Sequence, residues 1–412
     1  MSKKVIFLIC IQFLSLFGTH MSDFALSLHL YEASGSIALY SYFSMMIVLP
    51  EIILAPIIGH YVDRFNKKAL MLLGHAGAGI SSLIILMLLQ NDFHNYYIYL
   101  LFVMIGSLFN AMVFASFHVV IGYEVTKDSI QKASSVIELG FGLIMILSPA
   151  IGAYLLDHQS IFTIFYIDIV TFSLALIVIS ILPLRDKTDT KSKELLEGFL
   201  NTLISNLSYL KSNHILWLSL ILFALIQFNM AQTTVLITPF ILTISTKTTL
   251  GMIISLSGIG MLIASLLMFS IKITRHLYWI NRFAILQALI LFLAILHVNI
   301  IHIAVGSFVF MFFSSMLNIT NYSFWQQEID NSKKGQLFAM RNSIMMFSLM
   351  MGYLLSSPLV SLMHTIIEYF PSLLDIIGDY LKPEIRLLFI CNAFLILFVV
   401  WLIEKERKKI EV

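Results

Sequence analysis

Twelve segments of the chain are long and apolar enough to cross a lipid bilayer as α-helices, and this property constrains the fold most. A spanning helix needs about 20 mostly apolar residues, because each residue advances it by about 1.5 Å and the hydrocarbon layer is about 30 Å thick. Hydrophobic residues make up 59% of the 412 residues and charged residues only 12%, whereas soluble domains have about 25% charged residues. The predicted spans are residues 5–30, 37–58, 69–90, 96–121, 134–156, 160–182, 215–241, 250–271, 280–298, 301–325, 337–359 and 386–403.

Lysine and arginine residues in the loops predict the orientation in the membrane. Cytoplasmic loops are enriched in these two residues. With the N-terminus inside, all of the 25 Lys and Arg residues except Lys247, Lys382 and Arg386 fall on the cytoplasmic side. Both termini are therefore expected to be cytoplasmic, in a multi-pass protein of the cytoplasmic (inner) membrane. The net charge of +2 gives no reason to expect nucleic acid as a partner.

A long polar loop divides the predicted spans into six and six. Residues 183–214 begin with the solvated run RDKTDTKSKE and continue with apolar residues at helical spacing over 195–210. This spacing predicts an amphipathic helix on the inner membrane surface. The predicted domains are an N-terminal bundle (1–182), this cytoplasmic linker, and a C-terminal bundle (215–412) with an external loop at 360–385. Prolines and a glycine interrupt that external loop, so it is expected to be a lid or an interfacial helix.

The two halves resemble each other weakly. YEVTKDSIQKASS, after the fourth span, is similar to QEIDNSKKGQLFA, after the tenth, and a Ser-Pro pair follows in the next span of each half. Internal repeats of this kind are typical of transporters, with the binding site near the bilayer midplane. The sequence thus predicts an all-α membrane protein of 12 transmembrane helices in two pseudo-symmetric six-helix bundles.

The stretch GHYVDRFNKK, residues 59–68, lies between the second and third spans on the predicted cytoplasmic side. It resembles the loop signature of the major facilitator superfamily, Gly-x-x-x-Asp-Arg-x-Gly-Arg/Lys-Arg/Lys. The resemblance implies a loop that locks the two bundles in the outward-open state. The residues that would form this cytoplasmic gate are Gly59, Asp63, Arg64, Lys67 and Lys68. Asn66 replaces the second glycine of the signature, and asparagine tolerates the left-handed backbone expected there.

Other stretches resemble one efflux branch of that superfamily, which includes macrolide and enterobactin exporters. SLFGTHMSDFALSLHLYEASGS is similar to its first helix, and SPAIGAYLLDHQSIFTIFYIDIVTF to its passage from the fifth to the sixth. Pro149 and Gly152 match part of the antiporter motif, although Ser148 precedes the proline. The resemblance implies export of a small drug-like or siderophore-like molecule in exchange for protons, by a monomer in the lipid bilayer with no cofactor. No Gly-x-x-x-x-Gly-Lys-Ser/Thr loop is present, so neither ATPase nor other enzymatic activity is expected.

Ionisable residues within predicted spans are costly and are candidates for function. Asp23 in the first span shares a helix face with Thr19 and lies close to His20. Both the carboxyl group of Asp23 and the imidazole of His20 can bind protons. Glu51 lies well inside the second span, away from the membrane surface. We therefore expect Asp23, Glu51 and His20 to couple transport to protons. A glutamate that stabilises the turn beside Pro50 is the alternative for Glu51.

The sixth span adds Asp168, Thr171 and Phe172 to the candidate substrate site with Thr19 and Asp23. Asp168 recurs in the efflux branch, so a structural role is the alternative there. Hard oxygen ligands also suit a divalent metal ion. The second functional hypothesis is therefore a ferroportin-like exporter of divalent metal ions, with Thr19, Asp23 and Asp168 as ligands.

The remaining candidates lie near the predicted inner surface and in the second half. Glu138 and Arg341 occupy pseudo-equivalent spans, which suggests an ion pair between the bundles at the cytoplasmic gate. Gln227 and Asn229 in the seventh span are the amides most expected to bind an amphipathic substrate. Cys10 and Cys391 predict neither a disulfide nor a metal site. A third hypothesis, a membrane receptor that does not transport, would use the external loop as its docking surface.

Overall fold

The computed structural model describes residues 3–125, 130–184, 207–271, 273–296, 299–329, 334–377 and 382–410. These residues form helices, and no strand occurs among them. The helices are α1 (Lys3–Ser34), α2 (Ile37–Arg64), α3 (Lys67–Gln90), α4 (Tyr96–Glu124), α5 (Ile130–His158), α6 (Ile161–Ile181), α7 (His214–Leu242), α8 (Lys247–Ser270), α9 (His276–Leu296), α10 (Ile300–Glu328), α11 (Lys334–Tyr369), α12 (Leu373–Ile377) and α13 (Pro383–Ile410).

Ten helices of the described part are long and apolar enough to cross a membrane. In α2 and α9 the described apolar stretches are shorter, Ile37–Pro50 and His276–Phe292. Outward faces are apolar too: Leu73, Ile80 and Met87, seven residues apart on α3, are each more than half exposed. Such a face is stable against lipid rather than water. An all-helical multi-pass membrane protein is confirmed, whereas twelve spans and cytoplasmic termini stay predictions.

The chain divides into two compact units, Met1–Lys193 and Glu194–Val412. In the first unit α1 packs against α5 and α6, and α3 packs against α4 and α6. Glycines permit the close approach of these helices. A Cβ atom at Gly74 or Gly77 of α3 would collide with Val113 or Phe109 of α4. Small residues at such positions allow helices to pack closely where lipid supplies no hydrophobic driving force.

The turn between α2 and α3 has a different backbone from the one that the sequence suggested. Asn66 has φ −61° and ψ 117°, an extended conformation, and its side chain accepts a hydrogen bond from the Ala69 backbone N–H at 2.8 Å. It is therefore an N-cap of α3, and the left-handed geometry expected there is wrong. Asparagine is among the residues that satisfy a free N–H group at a helix start best.

Two lysine side chains bind to helix ends in the first unit. Lys68 Nζ donates to the backbone carbonyls of Ser180 and Leu182, at 2.7 and 2.8 Å. These are carbonyls at the end of α6, which have no partner within the helix and attract cations. Lys4 Nζ forms an ion pair with Glu124 Oε1 at 2.6 Å, which joins the start of α1 to the end of α4.

Removing the Lys68 amine is expected to loosen the end of α6. In Lys68→Met the two carbonyls lose a charged donor, so we expect a loss of about 1 kcal/mol in the free energy of unfolding. The unfolding temperature of the purified protein in detergent should fall by roughly 2–4 °C. Lys68→Arg, which keeps the charge and the donors, is the control. An equal fall in both variants would show that the hydrogen bonds do not matter.

In the second unit α7 packs against α11 and α13, α8 against α10, and α9 against α10 and α13. Its core contains Phe223, Trp325 and Leu337 among many aliphatic side chains. Trp325 is fully buried and donates its indole N–H to Ser219 Oγ at 3.0 Å. This hydrogen bond satisfies the one polar group of the ring.

Helix α11 is longer than the sequence suggested, because it runs to Tyr369 instead of ending near residue 359. No glycine or proline follows Pro358 until Pro371, so the helix continues through the first ten residues of the predicted external loop. A turn at 371–372 and the short helix α12 follow. Most of the predicted cytoplasmic linker, residues 185–206, lies outside the described residues, and residues 207–212 are helical.

Candidate functional site

A polar pocket lies inside the first unit, between α1, α3, α4 and α6. Its empty volume is about 350 Å³, which includes the solvent space at its opening. Leu26, Ile85, Phe102 and Phe165 are among its apolar walls. Its polar lining residues are Thr19, Ser22, Asp23, Ser81, Ser82, Ser107 and Asn110. One carboxyl group among hydroxyl and amide groups, within an apolar bundle, is a typical arrangement for binding a small polar ligand or an ion.

Asp23 is the one acidic residue that lines this pocket. It shares the lining with Thr19, one helical turn before it, as their spacing of four on α1 predicts. The Thr19 hydroxyl donates to the Ser15 carbonyl oxygen at 3.2 Å, which fixes its orientation. His20 lies next to Thr19 in sequence, but it is not among the residues that line the pocket. The structure therefore brings Thr19 and Asp23 together at one pocket and leaves His20 outside its lining.

Asp168 lies behind the pocket wall and is fully buried. Its Oδ2 accepts hydrogen bonds from Ser22 Oγ at 3.0 Å and from Ser82 Oγ at 2.7 Å. Because both serines line the pocket, Asp168 joins α1, α3 and α6 around it. Ser22, which donates to Asp168, precedes Asp23 in sequence, and both residues line the pocket. A second carboxyl group therefore acts on the pocket from behind its wall.

The remaining α6 candidates have separate positions. The Thr171 hydroxyl donates to the backbone carbonyl of Asp168 at 2.8 Å and is buried against α1. Phe172 lines the pocket. Gly18 makes the close contact between α1 and α6 possible, since a Cβ there would lie 2.5 Å from Thr171 Oγ1 and 3.0 Å from Asp168 Oδ1.

A buried histidine network joins α3 to α1 beside Phe172 of the pocket, and it was not predicted from the sequence. His75 of α3 is 1% exposed. Its Nε2 lies 3.2 Å from Gln12 Oε1 and its Nδ1 lies 3.4 Å from Ser15 Oγ. Phe172 is in edge contact with the imidazole, with ring centroids 6.0 Å apart. The rule that singled out Asp23, an ionisable residue within an apolar span, identifies His75 equally well.

Removing the imidazole is expected to destabilise the first unit. His75→Leu leaves the Gln12 amide oxygen and the Ser15 hydroxyl without this partner in a buried site, which costs about 2 kcal/mol. We expect the unfolding temperature in detergent to fall by roughly 4–8 °C. His75→Gln, which keeps a donor and an acceptor, should lose less than half as much. If the two variants fell equally, packing rather than hydrogen bonding would explain the role of His75.

In the second unit the predicted amides differ in burial. Asn229 is fully buried, and its Nδ2 donates to the Leu225 carbonyl at 2.9 Å. Its Oδ1 has no hydrogen-bond partner among the described residues. Gln227 is only half-buried. Gln232 and Asn392 form a buried hydrogen bond of 2.5 Å between α7 and α13, which the sequence did not single out as a pair.

Among the gate candidates, Lys67, Lys68 and Arg341 have side chains in the described part of the chain. The backbones of Glu51, Gly59, Asp63 and Arg64 are part of α2, and that of Glu138 is part of α5; their side chains lie outside the described part. Lys67 is buried and Lys68 holds the end of α6. Arg341, in the second turn of α11, is 3% exposed.

Aromatic rings surround the guanidinium of Arg341. Its Cζ lies 5.2 Å from the ring centroid of Phe223 and 5.6 Å from that of Trp325. The rings of Tyr322 and Phe338 are each 5.9 Å away. Contacts of this kind stabilise a cation through the electron-rich ring faces.

Comparison with known proteins identifies relatives along most of the chain. A family model described as Major Facilitator Superfamily matches residues 8–353. A protein of Bacillus subtilis (strain 168), named "Uncharacterized MFS-type transporter YfiS", is 26% identical over 297 residues, which cover 70% of this chain and 69% of that protein.

Solved structures of transporters have a similar fold. The nucleoside transporter NupG matches 98% of this chain and 99% of its own, with TM-score 0.77 and 11% identity. A bacterial homologue of the iron transporter ferroportin, solved in an inward-facing state, matches 98% and 99%, with TM-score 0.66 and 12% identity. Identities this low show that the fold is shared and do not identify the transported molecule.

Proposed function

Because the chain belongs to the Major Facilitator Superfamily of membrane transporters, we propose that it exports a small amphipathic organic molecule in exchange for protons. The observation that supports this most is the pocket of the first unit, in which Asp23 lies among hydroxyl groups with Asp168 behind the wall. The transporter would alternate between outward-facing and inward-facing states around a bound molecule. The proposed substrate is drug-like or siderophore-like.

The carboxyl pair suits proton coupling for an electrostatic reason. Two negative charges that lie close together in a low-dielectric interior repel each other strongly. A proton bound by the pair relieves this repulsion, and a change in water access to the pocket would change the affinity for that proton. Asp23 is the exchanging acid in this proposal, because it lines the pocket directly. Glu51 and His20 are proposed as additional proton-binding residues.

Candidate substrate-binding groups are proposed in each unit separately. Thr19, Asp23 and Phe172 offer a hydroxyl, a carboxyl and an aromatic face at the pocket. Asp168 and Thr171 are buried behind them, so their contribution would be to position α1 and α6. In the second unit the unpartnered amide oxygen of Asn229 and the half-buried Gln227 would bind polar groups of the substrate.

The proposed cytoplasmic gate has two parts. One is the loop signature of Gly59, Asp63, Arg64, Lys67 and Lys68, which would stabilise the outward-open state. The other consists of Glu138 in the first unit and Arg341 in the second, each proposed as a gate residue. Replacement of Glu138 by glutamine should then shift the distribution between the two states, which cysteine accessibility on the two membrane sides can measure.

The experiment that tests the proposed function is transport into proteoliposomes with an acidic lumen. Dyes and siderophores are added outside one by one, and Fe²⁺, Co²⁺ and Mn²⁺ are tested in the same preparation. The proposal predicts that at least one organic compound accumulates in the lumen as protons leave. Empty liposomes exclude passive trapping of weak bases. Failure of every organic compound to move above that background would contradict the proposal.

A divalent metal ion is the second candidate substrate, and Asp23, Thr19 and Asp168 provide its proposed ligands. The oxygen atoms grouped around the pocket favour this candidate. Within the described residues, however, no group of three or more His, Cys, Asp or Glu side chains could hold a metal ion. Accumulation of a metal ion and of no organic compound would establish the ferroportin-like function instead.

A further inference from the structure

Arg341 is a buried cation without a carboxylate partner in the described part of the chain. Its side chain is 3% exposed, and it forms hydrogen bonds to two amide oxygens but to no acid. Arginine remains charged at all physiological pH values. A buried charge is costly unless it is paired, and aromatic rings compensate only part of that cost. Among the described residues, no negative charge therefore neutralises Arg341.

Two hydrogen-bond donors at this position also lack partners. Arg341 Nη2 donates to Asn321 Oδ1 at 3.3 Å, and Nη1 donates to Asn342 Oδ1 at 3.4 Å. The Nε–H group of Arg341 has no partner among the described residues. The large majority of buried side-chain polar atoms in proteins are paired, so an unpaired N–H beside a full positive charge indicates that an acceptor belongs there.

Asn321 supplies the second unpaired donor. It is fully buried, and its Nδ2 has no partner in the described chain. Its orientation follows from its neighbour, because a guanidinium only donates and so the amide oxygen must face Arg341. The amide N–H₂ is then the free end, on a residue that already contacts the cation.

We propose that Arg341 and Asn321 form a binding site for a small monovalent anion within the second unit, chloride being the simplest occupant. The anion would accept hydrogen bonds from Arg341 Nε and Asn321 Nδ2 and neutralise the guanidinium. Tyr322 and Asn342, next to these residues, are exposed, so the site lies one side chain below the surface of the unit. The same donors suit the carboxylate of a larger molecule, which presents the same charge to two N–H groups. This proposal does not depend on the transported substrate or on proton coupling.

The test is thermal unfolding of the purified full-length protein in detergent, with chloride titrated against gluconate at constant ionic strength. An anion that binds only the folded protein stabilises it by RT ln(1 + [anion]/Kd), so above Kd the unfolding temperature rises with the logarithm of the anion concentration. For a millimolar Kd we expect a rise of about 3–5 °C at roughly ten times that concentration. A rise that is linear in concentration would be a general salt effect, and either that result or no rise would overturn the proposal.

Formate at the same concentrations distinguishes the two possible sources of the negative charge. A logarithmic rise of the unfolding temperature with both ions supports a site for any small anion. A response to formate alone assigns the same two donors to a carboxylate-bearing molecule.

Two variants locate the site. Asn321→Asp places a carboxylate beside Arg341, so it should unfold at a higher temperature than the wild type without chloride and lose the chloride response. Asn318→Asp, which adds the same charge at an exposed position one turn earlier on α10, should keep the full response. A chloride response that persisted in Asn321→Asp would place the anion elsewhere and overturn the assignment.

Discussion

Asp23→Asn is expected to reduce proton-driven transport by at least 10-fold while leaving substrate exchange largely intact. Asparagine has nearly the same size as aspartate and forms hydrogen bonds in the same pocket, but it cannot bind and release the coupling proton. Accumulation into an acidic lumen needs that proton, whereas exchange of labelled for unlabelled compound at equal pH does not. Both rates are measured in the same proteoliposomes, with a compound that the wild type transports.

The matched control for this variant is Asp92→Asn. Asp92 is exposed in the turn after α3 with a positive φ of 48°, a conformation that asparagine also tolerates. Its transport should equal that of the wild type. If Asp23→Asn retained full accumulation, Asp23 would not be the coupling acid. If accumulation and exchange fell together, Asp23 would be needed for substrate binding instead.

Gly18→Val is expected to cause the largest loss of stability. The added Cβ would lie 2.5 Å from Thr171 Oγ1 and 3.1 Å from the Asp168 Cα atom, and a backbone atom cannot move aside as a side-chain tip does. Overpacking of this kind costs about 3 kcal/mol. Since α1 and α6 would separate, the hydrogen bond between Ser22 and Asp168 should weaken as well. The unfolding temperature in detergent should fall by roughly 6 °C or more.

Gly122→Ala provides the comparison for Gly18→Val. Gly122 is also helical and lies near the end of α4, and a Cβ there would meet no atom within 4 Å. Alanine favours a helix more than glycine does, so this variant should be as stable as the wild type or slightly more stable. Equal losses at both positions would mean that helix packing at Gly18 is looser than the structure indicates.

The fold class could be predicted from the sequence because lipid imposes simple requirements. Long apolar segments must be helical, since no water is present to satisfy free backbone groups. Helix ends were harder to predict. Helix α11 passes its predicted end by ten residues because the loop pattern was inferred from Pro371, Gly378 and Pro383, which come later. The backbone conformation predicted for Asn66 was wrong, because the family signature has glycine at this position. In this chain the asparagine side chain caps α3 instead.

The candidate site could be predicted only in part. Thr19 and Asp23 follow from their spacing on one helix, and both line the pocket. Ser22 and Ser82 could not be identified, because hydroxyl groups are common in membrane helices and usually bond to their own backbone. Their contact with Asp168 joins residues 146 and 86 positions apart in sequence, which one sequence without homologues does not indicate.

The contacts of Arg341 could not be predicted from the sequence either. Pseudo-equivalence of the two halves suggested Glu138 as its partner, but that argument considers charge alone. Its contacts within the second unit are aromatic rings from α7, α10 and α11, and the hydrophobic pattern assigns those residues to packing. Only the three-dimensional arrangement shows that they surround a cation.

The measurement that tests proton exchange most directly is the lumen pH of proteoliposomes with trapped pyranine, starting at equal pH on both sides. A compound that the protein transports is added outside, so that its gradient drives it inward. Antiport predicts that the lumen becomes more alkaline as protons leave, and that Asp23→Asn abolishes this change. A lumen that becomes more acidic would indicate symport, and an unchanged lumen pH during transport would indicate no coupling to protons. Either result would contradict the proposed mechanism.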